Sequence, residues 1–258
     1  MSRSLPRRLS VVQKQQLTPN MLRITLGGES MGDFPPNQES GYVKLIFPPE
    51  GEMDYSEAHI KAGIKPRMRS YTIRYHDGDA QTLVLDFAAH GEHGPASAWA
   101  MNAKVGDEIL VREPGPTKLI NPAADWFFLA GDMTALPAIG VNLEKLPPNA
   151  KGYAVIEVLD EADKQVINAP SGIELIWVVN AQPEMPNTCL SDKVKSLPWL
   201  PGEASVWSAM EFETMKTLRR YFRDEKNVSR DRLYISSYWK MGATDEGHKQ
   251  AKKSDTEA

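Results

Sequence analysis

The chain has 258 residues, 41% of them apolar and 25% charged, with a formal net charge of −4. That composition suits one large globular domain or two modest ones and argues against nucleic acid or a membrane surface as partner, since any basic site must be local. The single cysteine, Cys189, excludes an internal disulfide and fits a reducing compartment. The opening residues, MSRSLPRRLSVVQKQQ, are basic without a continuous apolar stretch, and no later run reaches membrane-spanning length. The expectation is a cytoplasmic protein.

From Arg8 to about Pro114 the pattern is of short strands divided by turn residues: RLSVVQKQQLT, MLRITLGG, GYVKLIFPP, SYTIRYHDGD, TLVLDFAAH and DEILVREP. Spacing of this kind predicts an antiparallel barrel or sandwich. Pro and Gly cluster in REPGPTKLINPAAD, which marks a boundary near residue 120. Beyond it the rhythm changes. WFFLAG is a continuous apolar strand, and DMTALPAIGVNLEKL reads as a helix stopped by Pro147 and Pro148. GYAVIEVLD, GIELIWVVN, ASVWSAM, the amphipathic EFETMKTLRRYFRDE and DRLYISSYWKMG follow. Buried strands alternating with helices predict a parallel sheet covered on both faces. Two connections fit poorly: EADKQVINAPSG is short and polar, and AQPEMPNTCLSDKVKSLPWLPGE is broken by prolines, so some helices should be reduced. The tail ATDEGHKQAKKSDTEA is either a frayed terminus or a helix with His248 and Lys252 on one face and Lys249 and Lys253 on another.

Two stretches carry candidate chemistry. RSYT, residues 69–72, joins a cation, an aromatic ring and a hydroxyl at a strand start, and a half-exposed edge strand is the plain alternative. In a flavin-binding barrel Tyr71 would lay its ring on the isoalloxazine. Arg69 would pair with a phosphate, and Thr72 would hydrogen-bond near the ring. The second is DFAAHGEHGPASAWAMNAKVGDEI. Gly91 and Gly94 allow close backbone approach, Pro95 opens a helix, and amides near Ala96 and Ser97 would receive a pyrophosphate. Plain helix capping is the alternative. His90 and His93 lack a third ligand at recognisable spacing, so no metal site is expected; His90 is assigned to the flavin phosphates or ribose.

RSYTIR, LDFAAHGEHGPASAWA, VGDEI, LAGDMTALPAI, VWSAMEFETM and YWKMG occur in the order found in the siderophore-interacting proteins, and the chain resembles that family of flavin-dependent ferric-siderophore reductases over nearly its whole length. The resemblance implies a six-stranded FAD-binding barrel over residues 1–120 and a nicotinamide-type α/β domain over 121–258. It also places Ser70, Asp86, Phe87, Asp132, Thr134 and Ala135 with the cofactor. NADH, NADPH or reduced ferredoxin would supply electrons, the substrate would be a ferric siderophore, and no protein acid or nucleophile would be needed. The basic substrate positions would fall at Lys44, Lys118 (or Thr117) and Lys240. The chain departs from the family where Met210, rather than glycine, precedes Glu211, and carboxylates at Asp160 and Glu161 would disfavour a 2′-phosphate. A general NAD(P)H–flavin or ferredoxin-type reductase, or a non-catalytic ferric-siderophore carrier, are the competing readings.

Overall fold

The computed structural model describes residues 5–49, 55, 59, 62–89, 94–183 and 185–256. Its contacts divide the chain into two units, Met1–Thr117 and Lys118–Ala258.

In the first unit β1 (Arg7–Thr18), β2 (Met21–Gly27), β3 (Tyr42–Phe47), β4 (Arg67–Asp77), β5 (Thr82–Ala88) and β6 (Glu108–Gly115) close into an antiparallel barrel in the order β1-β2-β5-β4-β3-β6. Alternate residues turn inward, so Leu9 and Val11, Ile24 and Leu26, Val43 and Leu45, Leu83, Leu85 and Phe87 are all buried. Register follows from that alternation: Leu9 sits across from Ile109, Ile24 from Leu85 and Leu45 from Val111. A slip of one residue would turn each of these outward. Helix α1 (Pro95–Asn102) packs Ala96 and Ala100 into the same core. Its C-terminal carbonyls are met by Lys14, whose ammonium donates to Met101 O at 2.7 Å and Ala103 O at 3.2 Å.

In the second unit β7 (Trp126–Gly131), β8 (Lys151–Val158), β9 (Gly172–Val179), β10 (Ala204–Glu211) and β11 (Leu233–Trp239) form a parallel sheet in the order β11-β10-β7-β8-β9. This is the doubly wound arrangement, with the chain reversing direction across the sheet between β7 and β10. Every residue of those two strands is buried, which explains their unbroken apolar sequence. Trp126 and Trp207 are fully enclosed, each burial contributing about 3 kcal/mol. Gly131 is required by close packing, since a Cβ there would lie 2.6 Å from Ala209 O and 2.8 Å from Ala135 Cβ.

Helices α2 (Leu136–Lys145), α3 (Cys189–Ser196) and α4 (Phe212–Arg220) join the strands, and α4 runs on into a π-helical turn, Tyr221–Glu225. The helix expected from Asp132 starts four residues later, because residues 132–135 make a turn closed by Ala135 N donating to Asp132 O. Between β8 and β9 there is only a 3₁₀ turn, Glu161–Asp163. The proline-broken stretch does hold a helix, α3, whose Leu190 and Val194 share a buried face one turn apart. The tail forms α5 (Asp245–Thr256) and lies against β11. Its His248 ring meets Ser237 Oγ at 2.8 Å, Lys252 donates to Ser237 O at 3.0 Å, and Asp255 takes a two-pronged bond from Arg219 at 2.5 and 2.7 Å.

Candidate functional site

On the barrel, the RSYT stretch lies within β4, paired with β3 so that Lys44 faces Ser70, Val43 faces Tyr71 and Tyr42 faces Thr72. Tyr71 is half-buried and its ring lies 4.1 Å from that of Phe87, tilted by 34°. Phe87 is fully buried and also touches Trp99 of α1 at 5.9 Å, and Trp99 in turn meets Phe47. Three rings therefore tie β4 to α1, and Phe47 brings in β3. Burial pushes the Tyr71 phenol above its ordinary pKa, against the pull of the Arg69 charge, so it stays protonated. Thr72 is buried, Ser70 is exposed, and the Arg69 guanidinium donates to Met68 O at 3.0 Å.

Asp86 faces Arg23 across β2, accepting from Nε at 2.7 Å and from Nη2 at 2.8 Å. This pairing fixes a buried carboxylate in the barrel wall. At the start of α1, Gly94 has φ of 108°, a region that disfavours side chains, and an added Cβ would meet nothing within 4 Å among the described residues. Pro95 occupies the first turn and, among the described residues, no side chain caps the helix. Ala96 and Ser97 follow with their side chains buried, which leaves ligand contact at this end to the backbone. A half-buried aromatic ring, a neighbouring guanidinium and a glycine-entered helix start are groups a flavin dinucleotide requires, and these residues fit it. His90 and His93 lie outside the described residues.

In the second unit a cavity of about 370 Å³ opens at the C-terminal ends of the parallel strands, where doubly wound sheets take ligands. Asp132 lines it. One carboxylate oxygen accepts from Thr134 N at 2.9 Å and Thr134 Oγ1 at 2.5 Å, the other from Trp239 Nε1 at 2.8 Å and Glu211 N at 3.0 Å. Burial pushes the carboxyl up and these donors pull it down. Glu211 caps α4, accepting from Glu213 N and Thr214 N, and holds Met241 N at 3.1 Å. Thr134 is half-buried and Ala135 fully buried. Met210 belongs to the core and lines the cavity.

The acid that reaches the cavity from β8 is Glu157, which sequence inspection did not single out. Burial pushes its carboxyl up to about 7, and Asn180 donates to it at 3.1 Å. Asp160 and Glu161, expected at the strand end, lie past it. Asp160 caps the 3₁₀ turn through Ala162 N, and Glu161 pairs with Lys164. The strand ends at Val158 because that cap begins a turn two residues on.

Of the three lysines, Lys44 lies in β3, donating to Ser70 Oγ at 3.1 Å and approaching the Tyr42 ring. Lys118 opens the second unit; its carbonyl accepts from Trp207 Nε1 at 2.7 Å and its ammonium lies 6.0 Å from the Tyr234 ring centre. Lys240 lines the cavity and pairs with Glu213 at 2.8 Å. Among the described residues no three His, Cys, Asp or Glu gather as a metal site, and no helix is long and apolar enough to cross a membrane.

A closed antiparallel barrel with a flavin-suited strand and helix start, followed by a doubly wound sheet with its own cavity, defines the class of two-domain flavin oxidoreductases. Within it the chain belongs to the siderophore-interacting protein family. The siderophore-interacting FAD-binding domain matches residues 10–118 and the siderophore-interacting protein domain residues 124–242. The ferric vibriobactin reductase ViuB of Vibrio cholerae is 36% identical, covering 95% of this chain and 93% of its own. The NADPH-dependent ferric-chelate reductase of Escherichia coli is 25% identical over 90% and 92%. The crystal structure of the siderophore-interacting protein SipS from Aeromonas hydrophila superposes with a TM-score of 0.86 at 31% identity, covering 98% of this chain and 99% of that one.

Proposed function

We propose that this protein is a ferric-siderophore reductase that holds FAD on its barrel, takes electrons from NADH, NADPH or reduced ferredoxin, and releases Fe(II) in the cytoplasm. The observation that carries the reading is the set of rings Tyr71, Phe87 and Trp99, joined by Phe47 of β3, which fixes the RSYT strand against the glycine-entered helix α1. Support for reduction rather than storage comes from the two reductases that the chain resembles along nearly its full length.

Siderophores hold Fe(III) through hard oxygen donors, and the same donors hold the less charged Fe(II) poorly, so electron transfer is the release step. Bound FAD would supply the chemistry, accepting a hydride and passing on single electrons. The chain's own part is binding and field. Tyr71 offers a flat neutral surface, Arg69 a phosphate partner, Ser70 and Thr72 hydroxyls, and the backbone at Gly94, Ala96 and Ser97 a helix start for the pyrophosphate. Asp86 and Phe87 support this surface from within the wall, and His90 is kept as a phosphate or ribose contact. Asp132, Thr134 and Ala135 are kept as cofactor contacts of the second unit: Asp132 lines the cavity at the strand ends, Thr134 donates to its carboxylate, and Ala135 is buried beside it. Lys44, Lys118 and Lys240 would attract an anionic complex.

The deciding measurement is the absorption spectrum of purified protein, followed by anaerobic reduction of a ferric siderophore with an Fe(II)-trapping dye. The expected result is flavin bands in the blue and near ultraviolet and donor-dependent Fe(II) release. Colourless protein that cannot be reconstituted with FAD overturns the reading, and flavoprotein without Fe(II) release leaves only the general flavin reductase.

A further inference from the structure

Lys240 is a paired charge. Its ammonium donates to Glu213 Oε1 at 2.8 Å and lies 4.5 Å from the centre of the Phe212 ring. Glu213 is 61% exposed and also faces Lys216 at 3.5 Å. Lys240, ahead of Lys216, holds the Glu213 carboxyl below its usual range. The same cavity is lined by Asp132, Glu157 and Glu211, so among the described lining residues four carboxyl groups stand against one ammonium. Asp132 and Glu157 titrate upward through burial, but Glu213 stays ionised beside the lysine at neutral pH.

We propose that Glu213 is a specificity-determining residue: by cancelling the charge of Lys240 it directs this reductase toward ferric complexes of little net charge and away from strongly anionic ones. The chemical classes follow from charge balance. Three hydroxamates, each singly negative, neutralise Fe(III), whereas three catecholates, each doubly negative, leave a trianion. A trianion gains from an unopposed lysine and loses to a carboxylate beside it, while a neutral complex responds to neither. The inference rests on the reading that Lys240 meets the substrate.

The test compares wild type, Glu213→Gln, Lys240→Ala and the double variant, with a ferric tris-catecholate and a neutral ferric trihydroxamate. KM is measured for each, and binding to the oxidised protein is followed by quenching of tryptophan fluorescence, to which Trp239 in the cavity wall contributes. Glu213→Gln should tighten the trianion roughly three- to fivefold at low salt and lose most of that gain at high salt, as expected for one exposed charge a few ångströms away. The trihydroxamate should change less than about twofold, because it carries no net charge. In the Lys240→Ala background the gain should persist, since the Glu213 carboxylate repels a trianion directly, while the overall affinity falls by the lost lysine charge. If Lys240→Ala weakens the trianion but Glu213→Gln leaves the preference unchanged, the inference fails while the site reading stands. If Lys240→Ala affects neither complex, the site reading fails and the inference with it. An equal gain for the neutral trihydroxamate would report a change of shape rather than of charge and also overturns the role of Glu213.

Discussion

Tyr71 in the barrel and Asp132 in the second unit are held by different forces. Tyr71 is placed by ring packing on Phe87, itself wedged against Trp99, with its polar neighbours Arg69 and Ser70 reaching toward the surface. Asp132 is placed by four hydrogen bonds from three separate stretches of chain. A residue positioned by packing spends no polar group of its own on being held, whereas a carboxylate already saturated by internal donors acts mainly on the shape of the site. Substitutions in the barrel should therefore cost cofactor, and substitutions at the Asp132 knot should cost fold.

The strongest way to break that contrast is Asp132→Ala, which leaves two backbone amides, a hydroxyl and an indole without their acceptor. A loss of about 3–5 kcal/mol is expected, read by urea unfolding followed through tryptophan fluorescence. A loss below about 1 kcal/mol would show the knot to be ornamental. Next comes Arg69→Ala, which should weaken FAD retention by about 1.5–3 kcal/mol while the flavin-free protein unfolds at nearly the wild-type urea concentration. Equal losses of stability and cofactor would erase the distinction between the two regions.

Glu157 sharpens the comparison through pH. Its carboxyl is raised from 4.5 to about 7, so the folded protein holds the proton across that window. The associated stability is complete below about pH 4.5 and is lost as pH rises through 7. Wild type should lose about 1–2 kcal/mol relative to Glu157→Gln across this range, a figure reduced for partial exposure. Parallel pH profiles would mean that Glu157 is solvated. The smallest effect belongs to Lys14, which caps the C-terminal end of α1. Lys14→Ala should weaken FAD binding by about 0.3–1 kcal/mol with Lys14→Arg restoring it, and an unchanged dissociation constant would detach the cap from cofactor binding.

Both sheets were legible because their signals are local. Inward alternation marks β1 to β6, and the unbroken apolar runs WFFLAG and ASVWSAM mark the buried strands. The RSYT strand and the glycine-entered helix were legible for the same reason. What escaped depends on distant partners. Asp132 has a local partner in Thr134, but its other oxygen is taken by Glu211 N and by Trp239, joined across 107 positions, which LAGDMT does not indicate. Helix α5 was one of two readings of the tail, and its docking was not legible: besides Ala251 against the core it is held by His248, Lys252 and Asp255, residue types that ordinarily mark a solvated face. Glu157 was hidden inside an apolar strand, and the more conspicuous Asp160 and Glu161 drew attention to a turn.

Strand β9 carries a cost in the test tube. It is one of the sheet's two outer strands and presents GIELIWVV with one charge and neither proline nor lysine. Val179 is 38% exposed and Trp177 half-exposed, so an unpaired backbone edge lies beside apolar side chains. That is the make-up of a strand that adds to its own kind. Concentrated stocks of this protein will first grow cloudy through β9, and the remedy is a lysine on its solvent side rather than a change of buffer.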